Sequence, residues 1–399
     1  MPRGMEAIVA MEAMMRPGGT QLVLNAVLVA TLTTMLACGG GAPTPVPAED
    51  GEPNAMATGP IGDGTDFEFD PMWPKPLPNN WTLGNVVGVD VDSNDHIWIV
   101  HRPGSLTPQE AGADADPPLA ECCRPAPPVI EFNRDGDVVQ AWGGPGDGYE
   151  WPDSEHGIFI DHLDNVWLGG SGGDDAQILK FTKSGDFLMQ IGAHGQGQGS
   201  NDTANFGQPA EIDVDPETNE VIIADGYGNR RVAIFDADSG EYKRHWGAYG
   251  NVPTDDPYTY DPDAEPSQQF GRPVHCATLS HDGLLYVCDR INNRIQVFER
   301  DGTFINEVMM APRTRGFGSA FDVDFSPDAD QQYLYSIDGM NAKIWVISRE
   351  DLSIVNSIGF GGHQAGGFTA AHSLAVDSDG NIYVGETLEG KRVQRFVRR

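Results

Sequence analysis

Along most of the chain, apolar and polar positions alternate in short runs, the period-two pattern of β-strands that turn every second side chain into a core. The runs come in sets. A first strand ends near an aspartate, a turn follows, a second strand ends in an acidic or glycine-rich step, and a third strand comes after. The first strands read VGVDVD (87–92), HGIFID (156–161), AEIDVD (210–215), HCATLS (275–280), FDVDFS (321–326) and HSLAVD (372–377). The second strands read HIWIVHR, NVWLGGS, EVIIADG, LLYVCDR, YLYSIDG and NIYVGET, and the third PVIEFN, QILKFT, RVAIFD, RIQVFE, KIWVIS and RVQRFV. The first strands open 46 to 69 residues apart, and glycine-bearing links such as FGQP and FGRP join one set to the next. A repeat of this size, with loops of variable length, is the signature of a propeller blade.

One such sheet cannot bury both of its faces, whereas six in a ring can. The segments resemble NHL repeats. The pattern therefore predicts an all-β fold, a six-bladed NHL-type β-propeller occupying residues 66–399 as a single domain. The sixth set stops after its third strand, at Val397, while Phe67-Glu68-Phe69 alternates with no set of its own. This N-terminal strand is expected to supply the missing outer strand and close the ring, which removes an exposed edge.

Residues 21–37, QLVLNAVLVATLTTMLA, are apolar and uncharged and follow Arg16. That length suits the core of an export signal better than a membrane span. The segment runs into Met35-Leu36-Ala37-Cys38-Gly39, which resembles a bacterial lipobox, although leucine usually stands one place earlier. Residues 1–38 thus predict a signal peptide with Cys38 lipidated, or else an ordinary cleaved signal. The acidic stretch before Arg16 is unusual for such a signal, and a start at Met14 or Met15 would remove it. Residues 39–65, rich in Gly, Pro, Ala and Asp, predict a flexible tether. The expected location is outside the cytoplasm, either lipid-anchored in the periplasm or at the cell surface, or else free in the periplasm or secreted.

Composition narrows the partners. Of 399 residues, 39% are hydrophobic, enough for a large core, and 49 glycines and 29 prolines suit many tight turns. Basic residues number 25 and acidic residues 59, giving a net charge of −34. Such a surface repels phosphate backbones, so no nucleic-acid partner is expected. The only membrane contact expected is the N-terminal lipid, and the charge reads as a solvated surface. The five cysteines make no zinc-finger spacing. Cys276 and Cys288 flank a predicted hairpin, where either a disulfide in an oxidising compartment or two buried thiols fits. The adjacent Cys122 and Cys123 have no sequence-level account.

The six first strands open on Val87, His156, Ala210, His275, Phe321 and His372. Histidine stands in sets two, four and six only. First strands line a propeller's channel, and alternate blades of six lie about 120° apart, so three imidazoles are expected to converge at one level. Three neutral imidazoles with an open fourth position describe a catalytic zinc site. Copper, iron and nickel also accept such ligands. Arg102 and Tyr227 follow the second strands of sets one and three and should face the same mouth. An arginine there can clamp a substrate carboxylate bidentately. A tyrosine beside a cation gives up its proton more readily and can act as a base.

The stretches LGNVVGVDVD with VHR, EHGIFIDH, QPAEIDVDPETNEVIIADGYGNRR, PVH and AAHSLAVDSDGNIYVGE together resemble peptidyl-α-hydroxyglycine α-amidating lyase over residues 67–399. The resemblance implies zinc on His156, His275 and His372, with Arg102 and Tyr227 catalytic. Three positions depart from the family. Ala370 stands where it has methionine. Ser373 stands where an aspartate serves a structural calcium, which puts Ca²⁺ in doubt. Gly228 replaces a cysteine, so that disulfide is missing. The 399 residues also hold no counterpart of the copper monooxygenase module of the fused animal enzymes, which leaves the natural substrate open. The expected activity is that of a metal-dependent carbon–nitrogen lyase, with zinc the expected metal. It would release glyoxylate and an amide from a small-molecule or peptide substrate of the α-hydroxyglycine type. The alternative is a non-catalytic extracytoplasmic NHL propeller that binds a protein or ligand, since fold alone decides no function. A calcium-dependent lactonase of related shape is a third reading, but it would need carboxylates and amides where this channel offers histidines.

Overall fold

The computed structural model describes residues 65–399. The predicted signal, the lipidation at Cys38 and all of the tether except Thr65 lie outside the described residues.

Each strand set forms a four-stranded antiparallel sheet, and six such sheets make the six blades. The inner strands are Asn85–Val91, Glu155–Ile160, Pro209–Asp215, Val274–Leu279, Val323–Phe325 and Ala371–Val376. An aspartate stands at the end of the first strand in blades 1, 2, 3 and 6, and Ser280 and Ser326 take that place in blades 4 and 5. Asp92 accepts the N–H groups of Asn94 and His96, which turns the chain, and also bonds the indole of Trp98 in the next strand. Asp161 repeats the device with Leu163, Asn165 and Trp167, and Asp377 with Asp379, Asn381 and Tyr383. In blades 1, 2 and 6 the aspartate that ended the first strand in the sequence thus closes the turn and pins the second strand against it.

The blades pack through six apolar clusters, each shared by neighbouring blades. Ile158, Ile160 and Leu179 of blade 2 meet Trp98, Val100 and Val129 of blade 1. Ile212, Val221 and Phe235 of blade 3 meet Trp167 and Ile178 of blade 2. The last joint brings Ala375, Tyr383 and Val393 of blade 6 onto Val86, Ile99 and Ile130 of blade 1, with Trp73 wedged between them. Its ring centroid lies 4.8 Å from that of Tyr383 and 5.7 Å from that of Phe132.

Closure follows the sequence expectation. Strand Phe67–Asp70 pairs with Arg392–Arg398 in the register Phe67 to Arg398 and Phe69 to Phe396, giving blade 6 its outer strand from the other end of the domain. Cys276 and Cys288, opposite one another on neighbouring strands, form a disulfide. Cys122 and Cys123 are bonded to each other within the long connection that follows Arg102. That connection is tied back by a parallel pairing of Trp81–Thr82 with Arg124–Pro125.

Candidate functional site

His156, His275 and His372 enter the channel from blades 2, 4 and 6. Their ring centroids stand 5.0, 4.8 and 4.7 Å apart. One ligand atom from each lies within 4.8 Å of the others, and all three residues are buried. The blades between them set their orientation. His156 Nδ1 donates to the carbonyl of Ala210 at 2.6 Å, His275 Nδ1 to that of Phe321 at 2.6 Å, and His372 Nδ1 to that of Val87 at 3.0 Å. Ala210, Phe321 and Val87 are the opening residues of blades 3, 5 and 1. The six equivalent positions therefore alternate between an imidazole and the carbonyl that fixes it. A carbonyl can only accept, so Nδ1 carries the proton and each Nε2 turns its lone pair inward.

This has an electrostatic consequence. His275 Nε2 and His372 Nε2 are 3.2 Å apart, two lone pairs facing each other with no proton of their own between them. A proton or a metal cation must stabilise that approach. Protonation is opposed. Burial, then the neighbouring His372 and Arg102, holds His156 well below the ordinary imidazole range. Burial and Arg290 do the same for His275, and burial with Arg290 and Arg102 takes His372 down to about 3. Tetrahedral ligands about 2.0–2.1 Å from a zinc ion stand about 3.3 Å from one another. The donor set, its tautomers and the 3.2 Å separation fit a divalent metal ion, and the carbonyls are the outer partners such ligands require.

Tyr227 and two arginines surround the triad. Tyr227 Oη lies 2.9 Å from His156 Nε2 and 3.1 Å from His275 Nε2, and accepts a hydrogen bond from Arg290 Nη1 at 3.1 Å. Arg102 donates from Nε to the Glu155 carbonyl at 2.8 Å and from Nη2 to Ser171 Oγ at 2.9 Å, leaving three of its five N–H groups for a ligand. Arg290 is almost buried and packs on Phe321 at 4.7 Å and Tyr227 at 5.3 Å, and its Nε has no partner. Neither arginine makes an ion pair among the described residues. In a chain of net charge −34, two cations without carboxylate partners beside three neutral imidazoles mark a place for an anion.

Sequence reasoning missed Arg290, although it closes LLYVCDR much as Arg102 closes IWIVHR. It also missed the channel's second level. Past the triad lies a cavity of about 90 Å³ lined by Asp90, Glu211, Asp213, Asp322 and Asp324. Asp90, Asp213 and Asp324 belong to blades 1, 3 and 5 and accept the N–H groups of Ile160, Leu279 and Val376 from blades 2, 4 and 6. Here burial drives the carboxyls up, Asp213 to about 6 and Asp324 to about 7. Ser373, at the position where the resemblance places a calcium-binding aspartate, accepts the Val89 N–H at 3.1 Å.

No protein-family model matches the chain. Among curated proteins, NHL repeat-containing protein 3 of Mus musculus is 27% identical over 349 residues, covering 83% of this chain and 84% of its own length. The probable peptidyl-alpha-hydroxyglycine alpha-amidating lyase of Caenorhabditis elegans is 25% identical, covering 78% of this chain and 82% of its own length. Peptidylglycine alpha-amidating monooxygenase of Rattus norvegicus is 26% identical over 76% of this chain, which spans 29% of that larger protein. The chain is thus a six-bladed propeller whose relatives, at 25–27% identity, include the amidating lyases and NHL repeat-containing protein 3.

Proposed function

We propose that the chain is a metal-dependent carbon–nitrogen lyase that splits N-acyl-α-hydroxyglycine compounds into glyoxylate and a primary amide. The observation that carries the reading is Tyr227 Oη, held within 3.1 Å of two inward-facing imidazole nitrogens and of Arg290. A binding propeller has no need of that arrangement. His156, His275 and His372 would hold the metal, most reasonably zinc, and when bound it supplies Lewis-acid polarisation of the substrate hydroxyl.

The chain's own residues do the rest. Arg102 and Arg290 bind the carboxylate of N–CH(OH)–COO⁻ and fix the carbinol carbon at the level of the triad. Tyr227, acting as the phenolate, takes the hydroxyl proton at Oη. The electron pair of that O–H bond becomes the second bond of the glyoxylate aldehyde, the C–N bond breaks, and the departing amide nitrogen takes up one proton. The hydroxyl hydrogen ends, in the balance, on the amide. Gly88 and Gly157 face this stretch of channel, where a β-carbon would meet the carbonyl oxygens of His156 and Ala210 at 2.9 and 2.5 Å. They keep neighbouring inner strands close enough for the imidazole–carbonyl bonds.

The test is glyoxylate release from N-acetyl-α-hydroxyglycine by the metal-loaded protein, before and after chelation. Release that chelation abolishes supports the reading. No release above background overturns it and leaves the second reading, a binding propeller, which the similarity to NHL repeat-containing protein 3 over 84% of that protein's length favours.

A further inference from the structure

The channel rim beside Arg290 carries two exposed apolar side chains, Phe317 at 51% and Met340 at 46% of full exposure. Singly exposed apolar residues need no explanation. These two are placed. Phe317 stands between Gly316 and Gly318, whose φ angles of +72° and +79° belong to the left-handed region that favours glycine. A β-carbon on Gly318 would lie 1.9 Å from the Arg290 carbonyl oxygen, so this segment can rest on the Arg290 turn only as glycine. The result is a phenyl ring on the outer side of a guanidinium. Arg290 Cζ is 5.9 Å from the Phe317 centroid, while Phe321, beside the histidines, packs 4.7 Å from the same Cζ. Met340, in the turn after the second strand of blade 5, reaches the same segment. Its Cε would touch a β-carbon on Gly316 at 3.4 Å.

The lyase reading, on which this step rests, puts the carboxylate and carbinol of the substrate at the level of the arginines and imidazoles. The acyl group lies on the far side of the scissile nitrogen and must then point out of the channel, toward the rim. We infer that Phe317 and Met340 form a subsite for an aromatic or bulky apolar group on the acyl side of the scissile C–N bond. The preferred substrates are N-acyl-α-hydroxyglycines that carry such a group, as does a peptide with an aromatic or large aliphatic residue before its terminal hydroxyglycine. A ring laid on Phe317 gains offset or edge contact with it, and the sulfur of Met340 adds a polarisable edge.

The experiment compares N-benzoyl- with N-acetyl-α-hydroxyglycine on the metal-loaded full chain and on Phe317→Ala and Met340→Ala, each with a circular dichroism spectrum matching the wild type. The wild type is expected to favour the benzoyl compound in kcat/KM. Phe317→Ala should lower the ratio of benzoyl to acetyl kcat/KM by about threefold to tenfold, through KM, the scale of one aromatic contact. Met340→Ala should lower it in the same direction by less. A ratio unchanged in both variants overturns the subsite, as does an equal fall in kcat for both substrates, which would make Phe317 a cover for Arg290 only. Absence of release from either compound by the wild type overturns the lyase reading and the subsite with it. Release from both without a benzoyl preference overturns the subsite alone.

Discussion

At the scale of the residue, the site depends on which proton each polar atom holds. The carbonyls of Val87, Ala210 and Phe321 lock the three imidazoles with Nδ1 protonated, and among the described residues Tyr227 is the one hydroxyl bonded to their inward nitrogens. Tyr227→Phe removes the proton acceptor while keeping the ring on Arg290. It should therefore cost about 10²–10⁴-fold in kcat, the usual scale of general-base help, with unchanged metal content and thermal midpoint. Arg102→Ala and Arg290→Ala each delete a charged hydrogen-bond partner of the carboxylate, and steady-state kinetics should show KM raised by roughly tenfold or more. A variant that lost kcat alone would place that arginine elsewhere in the chemistry. The histidines were legible in the sequence because the repeat supplies a register, and three identical residues recur at one position of alternate sets. Arg290 was passed over although it ends LLYVCDR where Arg102 ends IWIVHR, so the same strand-end comparison held the signal for it.

At the scale of the element, the weakest joint of a ring is where its ends meet. The closing strand Phe67–Asp70 is short and holds by side chains as much as by its ladder. Phe67 packs edge-on to Tyr335 at 5.6 Å and Phe69 to Phe396 at 5.9 Å, and Asp70 pairs with Arg395. Phe69→Ala should destabilise the protein by about 1–3 kcal/mol in a denaturant titration, less than a fully buried phenylalanine because part of the ring faces solvent. A variant as stable as the wild type would mean that the ring holds without this strand. The closure could be read beforehand from an incomplete last set and an orphan alternating segment. The connection after Arg102 could not. Its two cysteines are adjacent, its pairing with Trp81–Thr82 is only two residues long, and neither leaves a periodic trace.

At the scale of the molecule, the channel stacks two three-fold arrangements of opposite sense. Even blades contribute imidazoles at one level, and odd blades contribute Asp90, Asp213 and Asp324 at the other. The aspartates were visible in the sequence only as strand-like alternation. That they are buried with no cation among the groups acting on them depends on the closed ring. Their raised folded-state pKa values mean that the folded protein keeps protons the unfolded chain releases. The stability this brings is present below the ordinary carboxylate range and is lost as pH rises through about 6 for Asp213 and about 7 for Asp324. The depressed histidines act in the opposite sense as pH falls through the range around 6.5 in which unfolded imidazoles charge, so the carboxyls are isolated by comparing the wild type with Asp324→Asn at each pH. After chelation, the wild type should lose stability relative to Asp324→Asn as pH rises from about 5 to about 8, at up to about 1.4 kcal/mol per pH unit for the one proton Asp324 retains. A stability difference between the two proteins that stays constant over that interval would contradict this. The central claim, that the alternation of blades builds one metal site, is tested most directly by elemental analysis of the purified full-length protein beside a triple His156→Ala, His275→Ala, His372→Ala variant of matching circular dichroism. The account predicts about one divalent metal ion per wild-type chain and almost none in the variant. A metal-free wild type, after incubation with zinc and removal of the excess, or a variant that keeps its metal, would contradict it.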